Sequence, residues 1–259
     1  MSESESRETR SAPVDGPAYY SYPILMRSPR RREWWTVLHP PYTLLHLSFV
    51  VLGGCLAAPV NFARLGVSVA AFFLAVGVGA HCLDEYHDRP LGTSIPHRQL
   101  LAAGVVGLVG AVGLGVLGLL VVSGYFALFM IVGVVIAVAY NLELFKGRLH
   151  TELVFVAGWG SFPVLTGYFA QHATLSLASV IVAIFAALVT SLQRTLSTPA
   201  RQLRRRTLSV QGQLTLRDGR AVPLTKAVLL LPLERSLRIL CWSGVTLAVG
   251  LLMLRAVGN

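Results

Sequence analysis

Long apolar stretches, each bounded by proline, glycine or charged residues, dominate the pattern of this 259-residue chain. A helix needs about twenty apolar residues to cross the hydrocarbon core of a bilayer, and seven stretches come close to that length. They predict transmembrane helices near residues 42–60, 65–84, 99–122, 125–143, 151–170, 174–193 and 237–255. Very short polar connections between several of them favour antiparallel neighbours. We therefore predict an all-α fold, a polytopic membrane helical bundle of seven to eight spans around a central cavity.

One polar stretch departs from the helical pattern. In residues 207–224, apolar and polar positions alternate on either side of Asp218-Gly219, a dipeptide typical of hairpin turns. We predict a small cytoplasmic β-hairpin here. The following residues 226–240 fit either an amphipathic surface helix or a partial eighth span.

The chain before the first span is different in composition. Its first 22 residues are rich in Ser, Pro, Glu and Tyr and lack a periodic apolar pattern, which is typical of disorder. Basic residues and paired tryptophans follow. The predicted organisation is a disordered cytoplasmic tail over 1–33 and a single transmembrane domain over 34–259.

Composition agrees with membrane insertion. Hydrophobic residues make up 54% of the chain and charged residues 13%, whereas soluble domains carry about 25% charged residues. The distribution of the net charge of +10 agrees with the predicted topology, because twenty of the 22 Lys and Arg residues fall on one side of the spans. Basic residues mark cytoplasmic loops, so we predict a multi-pass cell-membrane protein with a cytoplasmic N-terminus. This account of the charge also argues against nucleic-acid binding.

Acidic residues cluster at the cytoplasmic end of the second span. Asp84 and Asp88 are four residues apart, and helical geometry would stack them on one face, with Glu85 beside them. Ionisable groups at membrane depth are usually functional. Mg²⁺ takes one or two carboxylates and completes its shell with water and phosphate oxygens. We predict Asp84 and Asp88, with Glu85, as Mg²⁺ ligands, and the first two as catalytic residues.

Basic residues on the same side supply candidate anion ligands. They comprise Lys146 and Arg148, near Tyr140 after the fourth span, and Arg194 and Arg201 after the sixth. Lysine offers phosphate a point charge and arginine a planar fork. Ordinary topology charge or contact with lipid headgroups explains the same residues equally well.

These features together resemble the UbiA superfamily of intramembrane prenyltransferases. The resemblance rests on the succession of spans, on residues 84–91 (Asp-Glu-Tyr-His-Asp-Arg-Pro-Leu), on residues 140–146, and on residues 152–168. It implies a helical bundle whose cavity opens toward the cytoplasm and the lipid. It also implies Mg²⁺ held at two Asp-rich motifs, a prenyl diphosphate as substrate, and transfer of the allylic group to a lipophilic or aromatic acceptor.

The second motif is absent from this chain. Residues 171–217 contain no Asp or Glu, and the expected position carries Arg194 and Arg201. Three hypotheses follow: a prenyltransferase in which arginines replace the second metal site, a terpene cyclase on the same scaffold, and a non-catalytic lipid-binding protein.

Overall fold

The computed structural model describes residues 16–21 and 26–258. Within them the chain forms eight helices and one short hairpin, in the order α1 (Pro29–Val37), α2 (Pro40–Cys55), α3 (Phe62–His87), α4 (His97–Val121), α5 (Phe126–Asn141), α6 (Glu152–His172), α7 (Leu177–Arg206), β1 (Gln213–Thr215), β2 (Ala221–Pro223) and α8 (Lys226–Gly258). The predicted helical architecture is confirmed, since each of the seven predicted spans corresponds to one of α2 to α8.

Five of these helices, among the described residues, are long and apolar enough to cross a membrane: α3, α4, α6, α7 and α8. The predicted number of seven to eight spans is therefore too high by this criterion. The other two, α2 and α5, have 16 residues each. At 1.5 Å per residue each measures about 24 Å, short of the roughly 30 Å of a hydrocarbon core.

Glycines bring α2 and α6 into backbone contact at the centre of the bundle. A Cβ added to Gly53 would overlap the Val164 carbonyl, and one added to Gly167 would overlap the Val50 carbonyl. Small residues allow this approach, which is how apolar helices gain packing where burial from water contributes little. The largest core cluster is built around this contact and includes Leu45 and Phe49.

Successive helices run in opposite directions, so their ends gather in two groups. At one end, Arg64 donates to the carbonyls of Gln171 (3.2 Å) and Val121 (3.2 Å), and Arg255 donates to the Cys55 carbonyl at 2.8 Å. We call the other end the basic end: α2, α4, α6 and α8 begin there, and α3, α5 and α7 finish there.

The hairpin lies beyond the basic end and confirms the predicted strand pair over a narrower range. Leu214 is paired with Val222 in an antiparallel register. Asp218 accepts from the backbone N–H of Arg220 at 3.1 Å, and Gly219 takes the positive φ of 82° that the turn requires. The residues after it form the first turns of one continuous 33-residue helix, α8.

Part of the predicted tail is ordered. Residues 16–21 pack against the basic end, with Ala18 and Ser21 buried, and Pro29 begins α1. The predicted disorder of residues 1–15 and 22–25 lies outside the described residues.

Candidate functional site

A cavity of about 180 Å³ lies at the basic end of the bundle. Side chains from every long helix except α4 reach it, together with the N-terminal segment 16–21. Its polar lining comprises Tyr19, Tyr20, His39, Tyr42, His46, His81, Asp84, Tyr140, Asn141, His150, Gln193, Arg194, Ser197, Arg201, Arg204, Arg205 and Glu234.

The three predicted acids at the end of α3 have different surroundings. Asp84 lines the cavity. Glu85 is fully buried and accepts hydrogen bonds from the Leu91 N–H (2.9 Å) and from the N–H and hydroxyl of Thr93 (both 2.8 Å). Asp88 is not a lining residue, and its side chain is 71% exposed beside His87.

Asp88 lies one residue beyond the end of α3 at His87, and of the predicted pair only Asp84 lines the cavity. Asp88 has φ −114° and ψ −1°, outside regular helix. Arg89 then takes a left-handed φ of 48°, as the chain turns ahead of Pro90, which disfavours helix at the residue before it. The helix therefore continues three residues beyond the predicted span of 65–84.

This arrangement limits what a metal site here could be. Among the described residues, no group of three or more His, Cys, Asp or Glu side chains is placed to hold a metal ion. Of the three acids predicted to bind Mg²⁺, Glu85 accepts hydrogen bonds from the loop after α3 with both carboxylate oxygens, and Asp88 is exposed to solvent. A Mg²⁺ site would rest on Asp84, with water and phosphate oxygens as the remaining ligands. The Mg²⁺ assignment stays a prediction.

Arginines of α7 share the cavity with Asp84. Arg194, Arg201 and Arg205 all line it, because positions seven and eleven residues apart return to one helix face. Arg194 donates to the Tyr140 hydroxyl at 3.1 Å and lies 4.9 Å from the centre of the Phe155 ring. Its guanidinium is thus held in place before any ligand arrives.

Two predicted anion ligands are not part of this cavity. Lys146 and Arg148 lie on the exposed loop between α5 and α6 and do not line it. Glu143, Phe145 and Lys146 all have positive φ values, between 47° and 60°, so the loop coils on itself outside the cavity. Tyr140, predicted with them, does line the cavity.

Histidines complete the lining, and sequence reasoning did not select any of them as site residues. The rings of His39 and His81 lie 4.7 Å apart, and His46 Nδ1 is 2.8 Å from the Trp159 carbonyl oxygen. His39 has a left-handed φ of 45° at the junction of α1 and α2, a strained conformation that is common at functional sites. A signal was available in the sequence, because His46 interrupts an otherwise apolar span.

His39 is kept neutral by its position. Burial lowers the pKa of His39 well below its ordinary value of 6.5, and the neighbouring His81, Arg205 and Arg201 lower it further. A neutral imidazole beside arginines leaves the positive charge of the cavity on the guanidinium groups. The cavity therefore favours an anionic guest at neutral pH.

A second cavity, of about 110 Å³, is almost entirely apolar. Trp159 belongs to the lining of both cavities. Phe72, Phe129 and Phe162 form its aromatic wall. Two π-helical stretches, Phe73–Ala80 and Ala157–Ser161, border it; such stretches are frequent at functional sites.

Comparison with protein-family models, with curated proteins and with solved structures finds no match.

Proposed function

We propose that this chain is a membrane-embedded enzyme of the prenyltransferase type, similar to the UbiA superfamily, that binds a prenyl diphosphate. One observation carries the proposal. A polar cavity lined by Asp84, Arg194, Arg201 and Arg205 shares Trp159 with a separate apolar cavity. A ligand with a charged head and a hydrocarbon tail matches this pair of cavities.

The polar cavity would hold the diphosphate. Arginine forms paired hydrogen bonds to phosphate oxygens and keeps its charge at all relevant pH values. Arg194, already oriented by Tyr140 and Phe155, would bind with little loss of side-chain freedom. Mg²⁺ bound at Asp84 would add a second source of positive charge at the leaving group.

The reaction would begin with cleavage of the bond between the allylic carbon and the diphosphate oxygen, whose electron pair leaves with the diphosphate. The arginines stabilise the negative charge that grows on this oxygen, an effect that is strongest in a site shielded from water. The allylic cation left behind would lie near Trp159, whose ring stacks on Phe155 at 5.3 Å between centroids, and aromatic faces stabilise cations. A π bond of the acceptor then attacks the cation, and the adduct loses a proton.

The membrane arrangement is part of the proposal. With the basic end on the cytoplasmic side, the polar cavity faces the compartment that contains water-soluble phosphates, and the apolar outer surface of the bundle meets lipid. The exposed apolar side chains of α4, including Val106, Val109 and Leu120, are consistent with lipid contact.

A non-catalytic lipid-binding role is the second candidate. It is favoured by the arginines on one face of α7. They occupy the place at which the UbiA superfamily carries its second acidic motif. Arginines alone hold an anion without requiring that it be cleaved.

The test compares two sets of variants in binding and turnover of a prenyl diphosphate by the purified full-length protein. Arg194→Gln and Asp84→Asn should reduce diphosphate release at least tenfold, the equivalent of about 1.4 kcal/mol of transition-state stabilisation. The matched controls, Lys146→Gln and Asp88→Asn, change the same charges outside the cavity and should leave the rate within about twofold. Equal losses in both sets would contradict the proposal. If Arg194→Gln weakens binding but the unmodified protein releases no diphosphate, the non-catalytic role holds.

A further inference from the structure

Residues 16–21, which we call the strap, form one wall of the polar cavity. Pro17, Ala18, Tyr19 and Tyr20 line it, and Ala18 and Ser21 are buried against the bundle. The strap encloses the cavity without filling it, because about 180 Å³ remains open beneath it.

Tyr20 attaches the strap to α1 and α2. Its hydroxyl is hydrogen-bonded to Nδ1 of His39, and its carbonyl accepts from the Trp35 indole N–H at 3.0 Å. Its ring meets the Tyr42 ring edge-on at 5.8 Å. Burial raises the pKa of Tyr20 well above its usual range, so the hydroxyl keeps its proton and can donate to a neutral His39.

Arginines attach the strap to α7 and α8. Arg205 Nε donates to the Pro17 carbonyl at 3.1 Å, and Arg204 Nη1 donates more weakly to the Gly16 carbonyl at 3.4 Å. Arg238 lies 5.4 Å from the centre of the Tyr19 ring. Arg205 therefore serves two purposes, since it holds the strap and also lines the cavity.

The two uses of Arg205 compete. A backbone carbonyl is a neutral acceptor, whereas a phosphate oxygen forms charge-assisted hydrogen bonds that are roughly twice as strong. Arg204 does not compete in this way, because its guanidinium is held by the carboxylate of Glu234, at 2.7 Å for the Nη2–Oε2 pair.

We propose that the strap is a lid over the polar cavity, and that an anionic phosphate group in the cavity opens it by drawing Arg205 away from the Pro17 carbonyl. This rests on the proposed function in taking the ligand to be a phosphate ester. The lid thereby couples release of the strap to occupation of the cavity, and lids of this kind commonly control entry and product exit.

Cysteine labelling measures the lid directly. The native cysteines Cys55, Cys82 and Cys241 are buried, so Ala18→Cys adds one reporter at a buried position of the strap to a protein whose own thiols are shielded. Its reaction with a polar maleimide should be at least tenfold slower than that of Ser209→Cys, an exposed position on the connection after α7. Adding Tyr20→Phe should speed labelling of Ala18→Cys about fivefold to tenfold, because one buried hydrogen bond is lost. Tyr125→Phe, an exposed tyrosine at the opposite end, is the control and should change nothing.

The second arm adds inorganic diphosphate. We expect millimolar diphosphate to speed labelling of Ala18→Cys at least threefold, with sodium chloride of equal ionic strength as the control for screening. Arg205→Gln should raise the rate without ligand and abolish the response to diphosphate. The proposal is overturned if Ala18→Cys reacts as fast as Ser209→Cys, if Tyr20→Phe has no effect, or if diphosphate leaves the rate unchanged or slows it.

Failure of the lid and failure of the proposed function give different results. A strap that responds to diphosphate in a protein that turns over no prenyl diphosphate would support the lid and remove the enzymatic role. Turnover of a prenyl diphosphate, combined with a strap whose labelling does not respond to diphosphate, would support the enzymatic role and remove the lid.

Discussion

Neighbouring carboxylates on α3 have different tasks that follow from their surroundings. Glu85 accepts three hydrogen bonds from the loop between α3 and α4, so its charge stabilises that loop. Asp84 lines the polar cavity, and Asp88 is exposed to solvent. Adjacent positions on one helix thus separate a structural carboxylate from a candidate functional one.

Substitutions to the isosteric amide separate these tasks. Glu85→Gln should lower the free energy of unfolding by about 1–3 kcal/mol, because it replaces one acceptor oxygen by a donor facing the buried N–H groups. Asp84→Asn should leave thermal stability in detergent close to that of the unmodified protein and reduce diphosphate release. A stability loss for Asp84→Asn equal to that of Glu85→Gln would show that Asp84 is structural as well.

His39 predicts how the lid responds to pH. Because burial and the nearby Arg201, Arg205 and His81 lower its pKa in the closed state, closing requires neutral His39. The closed state is fully favoured above the ordinary pKa of 6.5 and loses stability as pH falls below that value. The Tyr20 and Tyr42 rings also lie against His39. Burial raises the pKa of Tyr20 well above its ordinary value, so its hydroxyl keeps its proton throughout this range.

Labelling of Ala18→Cys against a pH-matched Ser209→Cys reference measures this effect. The ratio of the two rates should rise by roughly tenfold per pH unit below the transition, the limiting slope for one proton, as long as the lid remains mostly closed. His39→Gln should flatten the profile. A ratio independent of pH between 7 and 5 would contradict the role of His39.

At the scale of elements, the contact between α2 and α6 depends on glycine. A Cβ at position 167 would overlap the Val50 carbonyl, and backbone on both helices leaves little room to shift. Gly167→Ala should therefore destabilise the bundle by about 1–3 kcal/mol or separate the helices. Gly66→Ala is the matched control, since nothing lies within 4 Å of its added Cβ, and helix propensity favours alanine there. Thermal unfolding of both variants in detergent decides the matter, and equal midpoints would disprove the tight contact.

The elements themselves were largely predictable from the sequence, and their ends were not. The apolar runs predict α2 to α8 because a helix is the element that satisfies its own backbone in lipid, and Asp218-Gly219 predicts the hairpin. The end of α3 depends on one backbone turn at Arg89. Asp88 lies just before that turn and is exposed to solvent.

The candidate site was predictable only in part, because the positions of helix ends and loop turns do not follow from the apolar pattern. Asp84, Tyr140, Arg194 and Arg201 were expected together and do line one cavity. Lys146 was grouped with them because it lies on the same predicted side of the membrane, but its loop, which contains left-handed turns, does not line the cavity. The strap has no periodic pattern at all, and its order comes from tertiary contacts such as that between Pro17 and Arg205.

At the scale of the whole molecule, the two ends of the bundle differ in charge, and this predicts orientation. With the basic end in the cytoplasm, Gly124→Cys on the short connection between α4 and α5 should react with an impermeant maleimide added to intact cells. Ser209→Cys should react after permeabilisation. Both positions are exposed, so the contrast reports sidedness rather than burial. The opposite pattern would invert the topology and place the polar cavity on the outer face.

The central claim is that the paired cavities bind and cleave a prenyl diphosphate. Release of diphosphate by the purified, unmodified protein from a panel of prenyl diphosphates, with and without Mg²⁺, tests it most directly. The account predicts release from at least one member of the panel. The rate of release should rise when Mg²⁺ is added, because Asp84 can then hold the metal beside the diphosphate. Tight binding of the panel with no diphosphate released under either condition would contradict it.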